Sequence, residues 1–563
     1  MKGYGEIMSK QLNLKWVSDT IGDEYKKWKV GDVVTINSQT GTGKNYFITG
    51  DRAKIGLVDT VEEWENILYI CNRIELKRQV KQDLLKKYGM EINYVENDNG
   101  QLIVDTEWLD EVETIKNVTI KSYHSIAFNR KERSYGNGNY YLDKYKYIVC
   151  DECQFFLTDA GFNQYTYYAF TELIKERNSK SIMIYLSATI EEIAPLIDEA
   201  IENWKTKFGD IWFGNWAKCN KWEYNTGIDY NYLNVKYFKN INTIAQLIKN
   251  RRTEKWVIFV TSEDSGKELE EGLLADDIEA TFIKAGKESD EKKMVTTNST
   301  FNSQVLIATK CIDNGVNIKD KSITNLVVMA YDKTTFIQEI GRLRLNIKDA
   351  HNINLYIRCC YKKTFLTLLN EYEKKEEMVK LFNEDIITFK SKFNNNYHSL
   401  PQDIFYLNNS NEWCLNELGI ERLNIDIKFA TKMVEKFKKD KNFAFIKEQL
   451  SWLNLEDIFD KNNLIEDVVD EGNVEMLRVF LEEAYENNDR MDKEIFTGRV
   501  TDIVKNDENL KVLFNKISGN GNRQKGAQNF NKLFEKVELP YIVGSKKFRI
   551  NGKLETKWIV LSV

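Results

Sequence analysis

Ser38-Gln39-Thr40-Gly41-Thr42-Gly43-Lys44-Asn45 follows directly on the apolar run Val33-Val34-Thr35-Ile36. Glycines at this spacing let backbone N–H groups close around phosphate oxygens, and a helix opening at the lysine turns its positive end to the same charge. Thr40, Gly41, Thr42 and Gly43 supply that cradle, and Lys44 is placed to reach the β and γ phosphates of ATP. Loops of this type next carry Ser or Thr to hold Mg2+, but this chain has Asn45. An amide oxygen also ligates Mg2+, with a longer reach. Asn45 therefore predicts either slow hydrolysis or ATP binding without rapid turnover.

A second chemical signal closes the run Tyr147-Ile148-Val149-Cys150. Asp151 and Glu152 stand at its end, Asp151 to hold Mg2+ through water and Glu152 to orient or deprotonate an attacking water. Cys150 and Cys153 form a CxxC, yet no second pair and no nearby His completes a tetrahedral metal site. They are expected to be a strand residue and a loop residue.

Elements that would position these groups alternate along the chain. Buried strands are predicted at 33–36, 67–70, 118–120, 147–150 and 182–186, with a helix over 74–87. The pattern restarts with strands at 256–260, 305–308 and 325–330. The reading is α/β with parallel sheets: a first domain over 1–222 and a second over 223–365. A mainly helical region over 366–515 follows, with helical spacing in 366–394 and 425–459. A small α+β module over 516–563 ends the chain. Arg523 to Lys557 carries nine Lys or Arg against three Glu, interleaved with Phe530, Phe534, Tyr541 and Phe548. A helix over 528–536 and strands at 541–543, 548–550 and 558–560 would form a winged-helix-type unit. The basic loop Gly544-Ser545-Lys546-Lys547 would be its wing, with Lys546 and Lys547 on phosphates.

Ser187-Ala188-Thr189, after the fifth strand, resembles the coupling motif of superfamily 2 helicases, the DEAD/DEAH-like group. Further segments follow in that family's order. Asn72 and Arg73, then 119–124, resemble the strand-contacting motifs of its leading domain. Phe259-Val260-Thr261-Ser262 resembles motif IV, and Thr309 to Gly315 motif V. Gln338-Glu339-Ile340-Gly341-Arg342-Leu343-Arg344 resembles the motif that supplies the arginine finger. The usual place of the second Arg is taken by Leu345, so the finger is Arg342 or Arg344. The resemblance implies tandem RecA-like P-loop domains holding ATP and Mg2+ between them. It implies coupling through Ser187 and Thr189, a catalytic neighbourhood including Gln338, and a nucleotide contact at Gly315. Strand contacts are implied at Asn72, Arg73, Thr261 and Thr309.

With 563 residues, 42% apolar, the chain is long enough for several cores, and its net charge of -6 leaves nucleic acid open as a partner because local charge decides. Its N-terminus has no apolar stretch of signal-peptide length, and the eight scattered cysteines fit reduced thiols in a cytoplasm. No membrane contact is expected. The predicted activity is an ATP-dependent helicase or translocase, with DNA favoured and RNA open, and the helical region free to dock a protein. A nucleotide-gated clamp with weak hydrolysis and an RNA-remodelling ATPase are the alternatives.

Overall fold

A computed structural model describes residues 9–562 apart from 63–64, 97–101, 135, 137–139, 162, 164, 177–179, 209–218, 285–288, 310–316, 395, 409, 466–470, 506–507, 519–525, 538 and 551–552. The chain packs as two compact units, Met1–Tyr237 with Arg251–Asn463 and Phe238–Asn250 with Leu464–Val563.

In the first unit, near-continuous apolar runs become parallel strands buried on both faces. These are β1 (Val33–Asn37), β2 (Asn66–Cys71), β3 (Val118–Ser122), β4 (Tyr145–Asp151), β5 (Ile182–Ser187) and β6 (Lys221–Asn225). They stand in the order β6-β1-β5-β4-β2-β3, all parallel, with Thr114–Ile115 antiparallel at the far edge. The helices α1 (Lys44–Thr49), α2 (Ile74–Tyr88) and α3 (Ile190–Phe208) follow β1, β2 and β5. Because β6 pairs with β1 from Lys221 to Asn225, the first sheet runs past residue 222, where the sequence suggested a boundary. Edge position explains the miss: Lys-Trp-Glu-Tyr-Asn is half exposed and lacks the apolar run of a central strand.

A second sheet repeats the plan. Its strands β7 (Leu233–Phe238), β8 (Lys255–Phe259), β9 (Ala280–Ile283), β10 (Val305–Ala308), β11 (Ile323–Val328) and β12 (Ile353–Arg358) are ordered β9-β10-β8-β11-β12-β7. The pairs from β9 to β12 are parallel. Helix α4 (Lys333–Ile340) follows β11.

The helical region expected after residue 366 contains α5 (Lys362–Glu384), α6 (Glu417–Asp440) and α7 (Ala444–Trp452). These helices strap the two sheets together. Leu418 of α6 enters the core of the first sheet and Glu417 pairs with Lys175, while Trp452 of α7 packs edge-on against Phe336 of α4 at 5.3 Å.

The second unit ends in α8 (Glu471–Glu486), α9 (Lys493–Lys505), α10 (Glu508–Ser518), α11 (Ala527–Lys536) and the antiparallel hairpin β13 (Tyr541–Ile550) and β14 (Lys553–Ser562). Phe530 centres its core, stacked on Phe514 at 5.2 Å and edge-on to Phe496 and Trp558. Leu477 and Leu481 belong to the same core, so the packed unit reaches upstream of residue 516: the basic segment has too little apolar surface to close a core of its own. Met491 bridges Trp558, adding a third short antiparallel pairing beside β14. One expectation fails here. Gly544-Ser545-Lys546-Lys547 is not a loop but the middle of β13, paired with Lys557 to Ile559 and Thr556. Strand pairing runs from Tyr541 with Ser562 to Ile550 with Lys553.

Candidate active site

Backbone geometry sets the site before any side chain does. Gly41 and Gly43 have φ of 92° and 83°, the left-handed region that turns successive N–H groups inward and that side-chain-bearing residues enter at a cost. Thr42 is tied down by its hydroxyl on Gln39 O at 2.7 Å, and Ser38 N donates to Ser187 O at 3.0 Å, linking this loop to the end of β5. Since β5 lies between β1 and β4, the loop after β1 and the carboxylates after β4 open onto one crevice at the strand ends.

That crevice is a cavity of about 710 Å3 lined by Gly41, Gly43, Lys44, Asn45, Asn72, Arg73, Asp151, Glu152, Asn317, Lys319, Arg342 and Arg344. Lys44 is buried and its Nζ donates to Glu152 Oε1 at 2.8 Å. Glu152 itself has φ 51°, left-handed in a residue with a Cβ. The turn holds it there through Cys153 N on Leu186 O at 3.0 Å, Glu152 N on Asp151 Oδ1 at 3.1 Å and Gln154 Nε2 on Glu152 Oε2 at 2.6 Å.

The two adjacent carboxyls are driven apart. Burial raises Asp151, and the negative charge of Glu152 adds to it, with Lys44 and the Tyr69 hydroxyl opposing only in part. Burial also acts against Glu152, but there the charge and hydrogen bond of Lys44 and the amide of Gln154 outweigh it and leave Glu152 lowered. Of the pair, Glu152 is the carboxyl held more firmly in its ionised form.

Tyr69, in the middle of β2 and fully buried, places Oη 2.7 Å from Asp151 Oδ2 and 3.1 Å from Asn45 Oδ1. The sequence places it only within the buried strand 67–70, because an aromatic inside an apolar strand gives no other signal. The oxygens of Asn45 and Asp151 are a hard donor set that fits Mg2+, and Lys44 with the loop N–H groups fits the phosphates it would accompany.

From the second sheet, the end of α4 abuts the phosphate loop. A Cβ on Gly341 would fall 2.4 Å from Thr40 Oγ1, so only glycine allows this approach, and Leu345 O lies against Gly41. Arg342 and Arg344 line the cavity. Arg344 donates through Nε to Asn317, and burial together with the neighbouring Arg342 lowers it to about 10. Gln338 is half-buried in α4 and is not among the residues that line the cavity.

The expected coupling residues Ser187 and Thr189 lie against α4, which follows β11 of the second sheet. Thr189 N donates to Ser187 Oγ at 2.9 Å, and Thr189 Oγ1 lies 3.3 Å from Thr334 Oγ1, whose hydroxyl donates to Glu192 at 2.6 Å. Lys333 pairs with Glu191 beside them. Behind Glu192 stands Arg422 of α6, bonded to Asp426 at 3.0 Å. Burial works against its charge, but Asp426, Asp332 and Glu192 outweigh that and hold it protonated. Nothing in the sequence pointed to Thr334, Glu192 or Arg422, whose roles arise only from the packing of α3, α4 and α6.

Of the expected strand contacts, Asn72 is buried at the cavity with no hydrogen bond to Oδ1, and Arg73 pairs with Asp159 at 3.4 Å. Thr261 is exposed and Thr309 half-buried, while Gly315 lies outside the described residues. Lys546 and Lys547 are exposed on β13 of the second unit. Cys150 and Cys153 are buried in the first core. No helix among the described residues is long and apolar enough to cross a membrane.

Two family models match the chain: the res subunit of type III restriction enzymes over residues 14–192, and the helicase conserved C-terminal domain over residues 239–345. Among curated proteins, the ATP-dependent RNA helicase SUB2 of Eremothecium gossypii is 20% identical over 316 residues, 55% of this chain and 68% of that protein. SUB2 of Candida glabrata is 19% identical over the same shares. Among solved structures, S. cerevisiae Dbp5 bound to RNA and ADP BeF3 matches 58% of this chain and 78% of its own at 16% identity and a TM-score of 0.38. Mycobacterium smegmatis helicase Lhr bound to ssDNA and AMP-PNP matches 63% and 47% at 10% identity and a TM-score of 0.40.

Proposed function

The chain belongs to the superfamily 2 helicases, and from that premise we propose that it hydrolyses ATP to move along nucleic acid or to part its strands. The observation that carries this reading is the meeting of Lys44, Asp151 and Glu152 from one sheet with Arg342 and Arg344 from the other around one cavity. Mg2+, when bound, supplies charge neutralisation between phosphate oxygens, and Asn45 and Asp151 would hold it. The chain's own residues do the rest. Lys44 leaves Glu152 for the phosphates, Glu152 orients the attacking water, and Arg342, buried beside Glu152, stabilises charge on the departing phosphoryl group. Gly341 against Thr40 makes the position of that arginine depend on closure of the two sheets. Thr189, Thr334 and Glu192 carry the same closure to α6 and the helical strap.

DNA is our preferred track. Its support is the second unit, where helices α9 to α11 followed by the β13–β14 hairpin form a winged-helix-type arrangement with Lys546, Lys547 and Arg549 exposed. The names of the curated relatives favour RNA instead. Hydrolysis measured with single-stranded DNA and with single-stranded RNA, against Lys44→Ala and Glu152→Gln, decides. Stimulation by DNA that vanishes in both variants is the expected result. Stimulation by RNA alone overturns the choice of track, and turnover indifferent to both polymers overturns the motor.

A further inference from the structure

Three oxygens meet beside the phosphate loop with one proton among them. Asn45 Oδ1 carries none, Asp151 is a carboxylate when a cation is held, and Tyr69 Oη has a single hydrogen. The hydroxyl lies within donating distance of both acceptors, 2.7 Å from Asp151 Oδ2 and 3.1 Å from Asn45 Oδ1, so its one hydrogen is shared between the carboxylate and the amide oxygen. The lone pairs this leaves free on the two acceptors face one corner, which favours a hard cation.

Asparagine needs help at this position. A Ser or Thr hydroxyl hangs on Cβ and is fixed by one torsion, whereas the amide oxygen sits one bond further out and turns about a second, broad torsion. Its direction must come from outside. Tyr69 is the group that can provide it: the ring is fully buried in the central strand β2, and its hydroxyl touches Asn45 and Asp151 alike. Asp151 is meanwhile fixed from its other side by the N–H of Glu152 on Oδ1.

We propose that Tyr69 is a positioning residue for the divalent cation, the partner that makes Asn45 serviceable where loops of this type use Ser or Thr. The assignment rests on the nucleotide-site reading above. It makes Tyr69 and Asn45 a matched pair: the tyrosine hydroxyl matters because residue 45 is an asparagine.

The test is binding of a fluorescent, non-hydrolysable ATP analogue to the full chain, titrated with Mg2+ and repeated in EDTA. Tyr69→Phe is expected to raise the Mg2+ concentration for half-maximal tightening by about 10-fold or more, the usual cost of losing an outer-shell partner. Binding in EDTA is expected to stay at the wild-type level, which a general loss of structure would not allow. In the Asn45→Thr background the same substitution is expected to shift the Mg2+ midpoint by less than about threefold, since coupled residues are not additive. An unchanged midpoint in Tyr69→Phe overturns the proposal, as does an equal shift in both backgrounds. Lys44→Ala separates the two readings. If it binds the analogue as tightly as wild type, the nucleotide site itself is wrong; if it does not bind and Tyr69→Phe still leaves the midpoint unmoved, Tyr69 alone is wrong.

Discussion

Lysine and arginine serve opposite ends in the two units. Around the cavity, Lys44 and Arg342 are buried and Arg344 half-buried, with Lys44 on Glu152 and Arg344 on Asn317. On β13, Lys546, Lys547 and Arg549 are exposed to solvent. A cation in a low-dielectric crevice acts on one atom in one geometry, and its removal leaves an opposing charge unanswered. A cation in water acts through a screened field, and any neighbour can replace part of it. Burial therefore concentrates function into single residues, and exposure spreads it over many.

That contrast predicts a graded set of effects. Arg342→Ala stands first: turnover should fall by about 10³-fold or more, as when an arginine finger is lost, with nucleotide affinity changed far less. Single-turnover hydrolysis checks it, and an equal loss in Arg344→Ala but none in Arg342→Ala would move the finger to Arg344. Glu152→Gln should slow hydrolysis by about 10²- to 10⁴-fold, the range for a general base, while the freed Lys44 keeps or tightens ATP binding. Thr334→Val removes the hydroxyl between Thr189 and Glu192. It should cut stimulation by nucleic acid about 10-fold, equivalent to one hydrogen bond of about 1.4 kcal/mol, with basal hydrolysis spared. The double substitution Lys546→Ala with Lys547→Ala should be mildest. It should lower the slope of log affinity against log salt by about 1.4 to 1.8 and leave turnover at saturating nucleic acid unchanged. A large, salt-independent loss there would erase the distinction between the two regions.

Legibility followed the same divide between local and assembled features. Central parallel strands such as Ile182–Ser187 were plain because burial on both faces forces an unbroken apolar run. The loop from Ser38 to Asn45 and the pair Asp151-Glu152 were plain because their chemistry lies in consecutive residues. Edge strand Lys221–Asn225 was hidden by its polar mixture. Lys546 and Lys547 were misplaced because Gly-Ser-Lys-Lys has the composition of a loop, whereas cross-strand pairing with Thr556 to Ile559 is what makes it a strand. Tyr69, Thr334 and Arg422 were invisible for a deeper reason. Their roles are contacts between segments far apart in sequence, and no spacing rule carries that information.

The left-handed backbone at Glu152 is strain held in place by its own side chain. An L-residue in that region gives up about 1 to 2 kcal/mol that glycine would not. Glu152→Gly would recover that cost but leave the buried Lys44 ammonium without its carboxylate, a loss of about 3 to 5 kcal/mol, so the denaturant midpoint of the first unit should fall rather than rise. The ion pair thus works as a latch on the turn, and whatever draws Lys44 away also loosens the backbone that aims Glu152.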